Sequence, residues 1–393
     1  MEASLKEATA GFSREAVEEL SSRRGEPDWV RQRRIEAWEV YERTPMPTRN
    51  DEEWRRTDIR KLPIDTVVPY GQLDGRVQSI SELDPAITGL LGSEDQRAAL
   101  NVQIDSGVAF TGLNADLAEQ GVIFTDLTTA IEQHPDLIQQ YFMTDCVPAT
   151  DNKFAALNGA FWAGGTFVYV PKGVKVEVPL RAEIYAGTPG AAVFPHTLII
   201  AEEDSSVVVV EGWDSPTVEE PAIASGVVEI FAKEASQVRY IQLQNWGRSV
   251  WNFVTQRSMI SQDAIVNTLD VALGSKLSKW LIASNLIGPG SLAEMLGLYF
   301  ADESQHLDFQ TRQLHASPYG TSDLLYKGAI KDRARTVFSG IIDVYPHAQR
   351  TDAYQANRNL VLSRTARADT MPKLEIGAND VRCTHGATVG QIE

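Results

Sequence analysis

The chain has 393 residues, 43% of them hydrophobic and 23% charged, and its formal net charge is −17. This composition is ordinary for a folded protein that is long enough to bury a substantial core. An acidic surface repels phosphate groups, and no run of about 18 apolar residues is present, so we expect no binding to nucleic acid and no association with a membrane.

The first part of the chain predicts two helices. Ser13 is a candidate N-cap for the first helix, and Pro27 suits the start of the second. Aromatic and aliphatic residues recur at helical spacing over residues 29–41, and Pro45 then ends the pattern because proline cannot continue a helix. We therefore expect a helical N-terminal region.

The character of the sequence changes twice in the next part of the chain. Residues 66–125 mix short apolar runs with Gly, Asp and Pro and predict no definite element. Helical patterns return within residues 125–142 and over residues 155–160. From Gly164 onward, short β-rich runs separated by polar turns predominate, which indicates a change to β structure.

The polar turns recur at a nearly constant interval. Asp204, Glu234, Asp263 and Gly290 mark turn centres that lie 30, 29 and 27 residues apart. A β-solenoid produces such an interval because each coil repeats one path, although a β-sandwich also contains many short strands. We expect a mainly β fold of the solenoid type. Its last coil must be capped or paired, because it would otherwise expose apolar interior and unpaired backbone.

Few residues carry recognisable chemistry. No phosphate-binding loop, C-x-x-C, H-E-x-x-H or G-x-S-x-G motif is present. The two cysteines, Cys146 and Cys383, give no disulfide framework and favour a reducing compartment, so we expect a cytoplasmic location. His306, Asp308 and His315 form a weak candidate metal cluster, of a kind that is more often structural.

A better candidate for metal binding lies near the end of the sequence. Cys383 and His385 are two residues apart, so on a strand their side chains point to the same face. Thiolate and imidazole groups both bind iron or a soft metal, but two ligands cannot complete a tetrahedral site. A metal there would need further ligands from elsewhere, and a purely structural role for the pair stays open.

Several long segments together resemble the SufB/SufD family of iron–sulfur cluster assembly proteins, from about Trp29 to the end of the chain. They are residues 151–158 (DNKFAALN), 161–174 (FWAGGTFVYVPKGV), 321–328 (TSDLLYKG), 331–335 (KDRAR) and 351–360 (TDAYQANRNL). The ending, residues 383–390 (CTHGATVG), resembles the SufD branch, whereas SufB-type chains usually carry a Glu-His-Glu-Ala-Thr-like stretch there. Residues 245–246 and 252–255 are also compatible with SufB.

The resemblance implies a fold and a domain organisation. The family's fold is a right-handed parallel β-helix flanked by helical regions, which agrees with the repeat interval. We expect an N-terminal, mostly helical or mixed region over residues 1–150 and a parallel β-helix core over residues 151–393. Family members normally continue into a C-terminal helical segment that binds the ATPase SufC. We expect that this segment is missing and that the chain is a truncated form, which leaves binding to SufC open.

The resemblance also implies a function. A SufD-like chain is a non-ATPase scaffold subunit, not an enzyme, that pairs with SufB through the β-helix and works with SufC. Cys383 and His385 match the SufD cysteine and histidine at the SufB interface, so SufB would supply the missing ligands for transient iron or an iron–sulfur cluster. No tightly bound cofactor is expected in the isolated chain, which could also form a homodimer. The alternatives are a SufB-type scaffold that carries the nascent cluster itself and, remotely, a β-helix carbohydrate-active enzyme.

Overall fold

The computed structural model describes residues 11–391, so the first ten residues of the predicted N-terminal region and the last two residues of the chain lie outside it. The α-helices in this part are α1 (Arg14–Arg24), α2 (Asp28–Arg43), α3 (Pro85–Thr88), α4 (Ala115–Glu119), α5 (Leu127–Gln133), α6 (Pro135–Tyr141) and α7 (Lys153–Phe161). None of the helices in residues 11–391 has the length and apolar character that crossing a bilayer requires.

Strands make up most of the remaining structure. They are β1 (Ala99–Ile104), β2 (Gly107–Leu113), β3 (Ile123–Thr125), β4 (Thr166–Val170), β5 (Leu180–Tyr185), β6 (His196–Ala201), β7 (Ser206–Asp214), β8 (Ala222–Ala232), β9 (Gln237–Asn245), β10 (Val250–Ile260), β11 (Ile265–Ala272), β12 (Leu277–Leu286), β13 (Leu292–Ala301), β14 (His306–His315), β15 (Thr321–Ile330), β16 (Arg335–Val344), β17 (Asp352–Val361), β18 (Arg367–Ile376) and β19 (Arg382–Gln391).

The strands form two long sheets that enclose a shared interior. The ten-stranded sheet has the order β19-β17-β15-β13-β11-β9-β7-β5-β1-β2, and the nine-stranded sheet has the order β18-β16-β14-β12-β10-β8-β6-β4-β3. From β4 onward the chain alternates between the sheets, and each strand pairs in parallel with the strand two positions further along. Antiparallel pairing occurs where β1 meets β2 and β3 meets β4. The expected mainly β fold, a parallel β-helix with an N-terminal helical region, is confirmed.

One row of corners explains the repeat in the sequence. The residues of this row with left-handed backbone conformation include Asp204, Ala235, Asp263, Gly290 and Tyr319. The corners stack, because the N–H of Asp204 donates to Glu234 O at 2.9 Å and the N–H of Asp263 donates to Pro289 O at 3.0 Å. Asp and Gly tolerate this conformation better than most residues. The predicted turn centres are confirmed, except that the second lies at Ala235 rather than at Glu234.

Alternation along the strands decides which side chains enter the solenoid. In β9, Val238, Tyr240 and Gln242 are buried, whereas the residues between them are exposed or half-buried, as the period of two in a strand requires. The interior is partly polar. The Tyr240 hydroxyl donates to Glu211, and the Tyr326 hydroxyl donates to Asp270 Oδ2 at 2.7 Å. These partners satisfy polar groups that would be costly to bury alone.

The N-terminal helices cover the outer face of the nine-stranded sheet. Ser13 caps α1 as predicted, because its Oγ accepts from Ala16 N at 3.2 Å. The predicted second helix is confirmed as α2, which begins after Pro27. The α7 helix then packs on the sheet, where the Phe154 ring stacks on Phe253 of β10 with 3.6 Å between centroids. These contacts belong to one large apolar cluster that joins the helices to the solenoid.

Residues 66–125, which the sequence leaves unassigned, contain the strands that start both sheets. In the ten-stranded sheet β1 pairs in parallel with β5, and in the nine-stranded sheet β3 pairs with β4. Strands from both sides of residue 150 therefore share the two sheets. The division into residues 1–150 and 151–393 stays a prediction.

Candidate functional site

Cys383 and His385 lie on β19, the last strand of the ten-stranded sheet. In the pairing with β17, Cys383 is opposite Ala353 and His385 is opposite Gln355. Both partners on β17 are buried in the solenoid interior. The two candidate ligands therefore occupy the interior-facing register of the last coil, on one face of the strand as the sequence predicts.

The environments of the two side chains differ. Cys383 is half-buried against a small apolar cluster that includes Val344 and Ala353. Burial, and to a lesser extent the negative charge of Asp352, raises the pKa of the Cys383 thiol. The thiol is therefore protonated near neutral pH unless a cation approaches it. His385 is exposed, which makes its imidazole the more accessible donor.

The pair is an incomplete donor set within this chain. In the part of the chain that the structure describes, no group of three or more His, Cys, Asp or Glu side chains is placed to hold a metal ion. A cysteine and a histidine alone leave at least two positions of a tetrahedral site without protein ligands. Additional His, Cys, Asp or Glu donors would have to come from outside residues 11–391.

Gln355 is a neighbour of the candidate pair that sequence reasoning missed. Its Nε2 donates to Lys373 O at 3.0 Å and to Gly340 O at 3.3 Å. Its buried Oε1 has no hydrogen-bond partner among the described residues. A Cβ added at Gly340 would lie 2.3 Å from this Oε1 atom, so the close contact between Gln355 and the backbone of residue 340 requires glycine there. The repeat interval could have found Gln355, since it lies one coil before His385.

The edge of β19 carries backbone groups that no described strand uses. Arg382 N donates to Thr351 O at 2.8 Å, toward β17. Because successive N–H groups along a strand point to opposite sides, those of Cys383, His385 and Ala387 point to the open edge. The candidate ligands therefore lie on a strand whose backbone can pair with another strand.

The edge of β18 is different. Arg367 N donates to Ala334 O at 3.0 Å, so even-numbered residues of β18 present their N–H positions to the open edge. Pro372 occupies one of these positions. Because its missing N–H would point away from β16, no bond to β16 is lost, and the edge offers one donor fewer to an incoming strand. Apolar side chains are nonetheless exposed on this coil, with Ile376 43% and Val389 49% exposed. Among residues 11–391, the edge of β19 thus has no paired strand, and Pro372 partly protects the edge of β18.

The weak cluster predicted around His306 is a structural contact. Lys279 Nζ lies 2.7 Å from Asp308 Oδ2, and both side chains are about 1% exposed. Thr57 donates to the same carboxylate, and its Oγ1 lies 2.8 Å from His306 Nε2. Burial lowers the pKa of His306 to about 4, so the imidazole is neutral near pH 7. The group attaches the N-terminal segment to the outer face of the nine-stranded sheet.

His315 does not join that cluster. It lies on the same strand as His306 but nine positions further along, and this odd separation turns its side chain to the opposite face. There it is buried in the interior, with Nε2 2.8 Å from Ser322 Oγ. Its burial lowers the pKa of the imidazole to about 4. The predicted grouping of His306, Asp308 and His315 is therefore wrong for His315.

Two family models together match nearly the whole chain. The model described as the SufBD protein N-terminal region matches residues 16–182, and the model described as SUF system FeS cluster assembly, SufBD core domain, matches residues 184–393. The chain belongs to the SufB/SufD family. Its membership confirms the resemblance in the sequence and makes it a component of SUF iron–sulfur cluster assembly.

Individual relatives in the family are similar over almost the full chain. The iron-sulfur cluster assembly protein SufB of Bacillus subtilis is 32% identical over 97% of this chain and 82% of its own length. Iron-sulfur cluster assembly SufBD family proteins of Staphylococcus saprophyticus and Staphylococcus haemolyticus are each 31% identical, with the same coverage. These names include SufB and the undivided SufBD family, so they do not separate the SufB branch from the SufD branch.

Proposed function

We propose that the chain is a SufD-like, non-ATPase scaffold subunit that pairs with SufB through its last coil and works with the ATPase SufC. One observation carries this proposal: among residues 11–391, the Cys383/His385 donor pair is incomplete and lies on an edge strand whose outer backbone groups have no strand partner. A strand from a second subunit can add to such an edge through main-chain hydrogen bonds. The second subunit would then bring its own donors next to the pair.

The chemistry of the two donors fits a shared and transient site. His385 would bind iron through a neutral imidazole. Cys383 would bind as a thiolate, which its raised pKa disfavours until a cation is present. Iron or the cluster is therefore cargo that binds as the complex forms, and we propose no tightly bound cofactor and no enzymatic activity for this chain alone. ATP hydrolysis belongs to SufC in this scheme, and the two-cysteine composition supports a cytoplasmic location.

A second candidate is a SufB-type scaffold that carries the nascent cluster itself. The SufB name of the Bacillus subtilis relative favours it. Anaerobic reconstitution of the isolated chain with iron and sulfide separates the two candidates. Stable cluster binding by the isolated chain would favour the SufB type, although Cys146 and Cys383 are too few for a four-thiolate site. No observation favours the carbohydrate-active alternative.

The decisive experiment reconstitutes the chain with SufB and SufC and measures the mass of the complex and the cluster yield. The variant His385→Ala should lower the cluster yield while the mass of the complex and the fold stay unchanged. Thr384→Ala is the matched control, because Thr384 is exposed on the opposite face of β19. An unchanged yield in His385→Ala would remove His385 from the site, and the absence of any complex with SufB would overturn the proposed function.

A further inference from the structure

A cleft of about 630 Å³ opens on the outer face of the nine-stranded sheet near the last coil. One wall is the N-terminal segment over residues 49–56, and the other consists of outward-facing residues of β14, β16 and β18. The polar residues that line the cleft are Arg49, Asn50, Glu52, Glu53, Arg55, Arg56, Gln310, Ser339 and Lys373. The proposed roles of Cys383 and His385 do not involve this cleft.

The cleft has an excess of positive charge on a strongly acidic protein. Arg49, Arg55, Arg56 and Lys373 face two carboxylates there, whereas the whole chain has a net charge of −17. Lys373 forms an ion pair with Glu52. Neither guanidinium of Arg49 and Arg55 has a carboxylate partner among residues 11–391, and both side chains are exposed. The lining therefore retains positive charge that the protein's own carboxylates do not neutralise.

A neighbouring ion-pair network holds further arginines beside the cleft. Asp369 of β18 lies 2.6 Å from Arg335 Nη2, 3.3 Å from Arg367 Nε and 3.9 Å from Arg56 Nε. A single carboxylate is thus surrounded by three guanidinium groups. Their excess positive charge extends the cationic surface from the cleft to β18, and the network positions Arg56 in the cleft wall.

An adjoining cleft adds an apolar surface. It has a volume of about 520 Å³, shares Arg49 and Asn50 with the cationic cleft, and is lined by Met46, Pro47 and Ile59. The two clefts adjoin along the N-terminal segment, and we refer to them together as the groove, with one cationic half and one partly apolar half. Such a groove fits a peptide segment that combines carboxylates with an apolar side chain, and its charge disfavours a basic segment.

We propose that this groove receives an acidic segment of the subunit that docks on the last coil. The inference rests on the proposed pairing with a SufB-type subunit and identifies a second contact for it. Met371 and Lys373 of the cleft lie on β18, the edge strand of the nine-stranded sheet. A subunit that adds a strand to β19 covers the same end of the solenoid, where β18 borders the cleft. Arginine is well suited to this contact, because its planar guanidinium binds a carboxylate through two parallel hydrogen bonds.

The groove and the edge of β19 contribute to binding in different ways. Main-chain pairing along β19 contributes affinity but little sequence specificity, because backbone groups are the same in every strand. Complementary charge beside the edge accelerates correct encounters and disfavours a partner with like charge. Since this chain is itself strongly acidic, the groove also provides a local attraction that offsets the repulsion between the rest of its surface and an acidic segment of the partner.

The test measures the affinity and association rate of the full chain for the SufB-type subunit from the same genome. The double variant R49E/R55E should weaken binding by at least about ten-fold at low ionic strength, mainly through slower association. The difference should shrink near 1 M salt, where the Debye length is about 3 Å. The matched control is R31E/R239E, which changes the net charge equally at two exposed arginines outside the groove. Urea unfolding of both variants checks that the fold is retained.

The comparison of R49E/R55E with R31E/R239E separates a specific effect of the groove from general charge repulsion. Weakening in R49E/R55E that is clearly larger than in R31E/R239E supports the groove as the docking surface. Equal weakening in the two variants reports only general charge repulsion and overturns the inference. Unchanged binding in both also overturns it, while the pairing through β19 stands. If the unmodified chain does not bind the SufB-type subunit, the proposed function and this inference fall together.

Discussion

His196 Nε2 lies 2.9 Å from Glu229 Oε2, and both side chains are completely buried. The same carboxylate accepts from the backbone N–H of Met143 at 3.0 Å and of Val147 at 3.1 Å. On the other side, His196 Nδ1 lies 2.7 Å from Asn158 Oδ1. This network attaches the connection between α6 and α7 to strands β6 and β8 of the nine-stranded sheet.

Glu229→Ala should therefore destabilise the protein strongly. The change removes one partner of a buried pair and leaves the imidazole and two backbone N–H groups without an acceptor, at a cost of about 3–5 kcal/mol. Urea unfolding measures the loss. The control Glu234→Ala changes an exposed glutamate at a corner and should alter the free energy of unfolding by less than about 0.5 kcal/mol. Similar effects of the two variants on the free energy of unfolding would contradict a stabilising role for this network.

Gly328 allows a close approach inside the solenoid. A Cβ at this position would lie 1.9 Å from a ring carbon of Tyr299, whose hydroxyl donates to Asn359 Oδ1 at 2.6 Å. Gly328→Ala should cost about 1–3 kcal/mol, because the ring must move in a packed interior. Gly386→Ala is the control, since no atom lies within 4 Å of its added Cβ. A thermal unfolding scan that ranks the two variants equally would contradict the steric reason.

The stability of the protein should fall in acid partly because of His315. Burial lowers the pKa of this imidazole to about 4, whereas an imidazole in an unfolded chain titrates near 6.5. The unfolded state therefore takes up the proton first as the pH falls. The contribution of neutral His315 to the free energy of unfolding is complete above about pH 6.5. It is lost between pH 6.5 and pH 4, and the loss is up to about 3 kcal/mol.

The variant His315→Gln tests this pH dependence, because its side chain is neutral at every pH. Its free energy of unfolding should fall less steeply between about pH 6.5 and pH 4 than that of the unmodified protein. His306, whose pKa is lowered in the same direction, remains in both proteins and cancels in the comparison. Equal slopes in urea unfolding across this range would show that His315 does not titrate as burial requires.

The sequence predicted features that depend on local patterns. Corner residues such as Asp204 and Asp263 carry local turn signals, and the shared face of Cys383 and His385 follows from the period of a strand. Features that depend on distant partners were missed. The pairing of β1 with β5 joins segments about 80 residues apart, and His196 is notable only because Glu229 and Asn158 surround it in the fold.

The direction of the N–H groups on β19 gives a test of the proposed pairing edge. The N–H of Ala387 points to the open edge, whereas that of Thr388 points toward β17, by the alternation that begins at Arg382. Ala387→Pro should therefore leave the coil folded, as the natural Pro372 does on β18, and should weaken binding to the SufB-type subunit by at least about ten-fold. Binding and unfolding measurements on the same preparation check both effects.

Thr388→Pro is the complementary variant, because it removes an N–H that bonds within the sheet. It should lower the free energy of unfolding by about 3 kcal/mol or detach β19 from β17, whereas Ala387→Pro should do neither. If Ala387→Pro binds the SufB-type subunit as tightly as the unmodified chain, then pairing does not use the edge of β19. The donors that complete the Cys383/His385 pair would then have to approach from the interior side of the last coil, which is the side that the two side chains face.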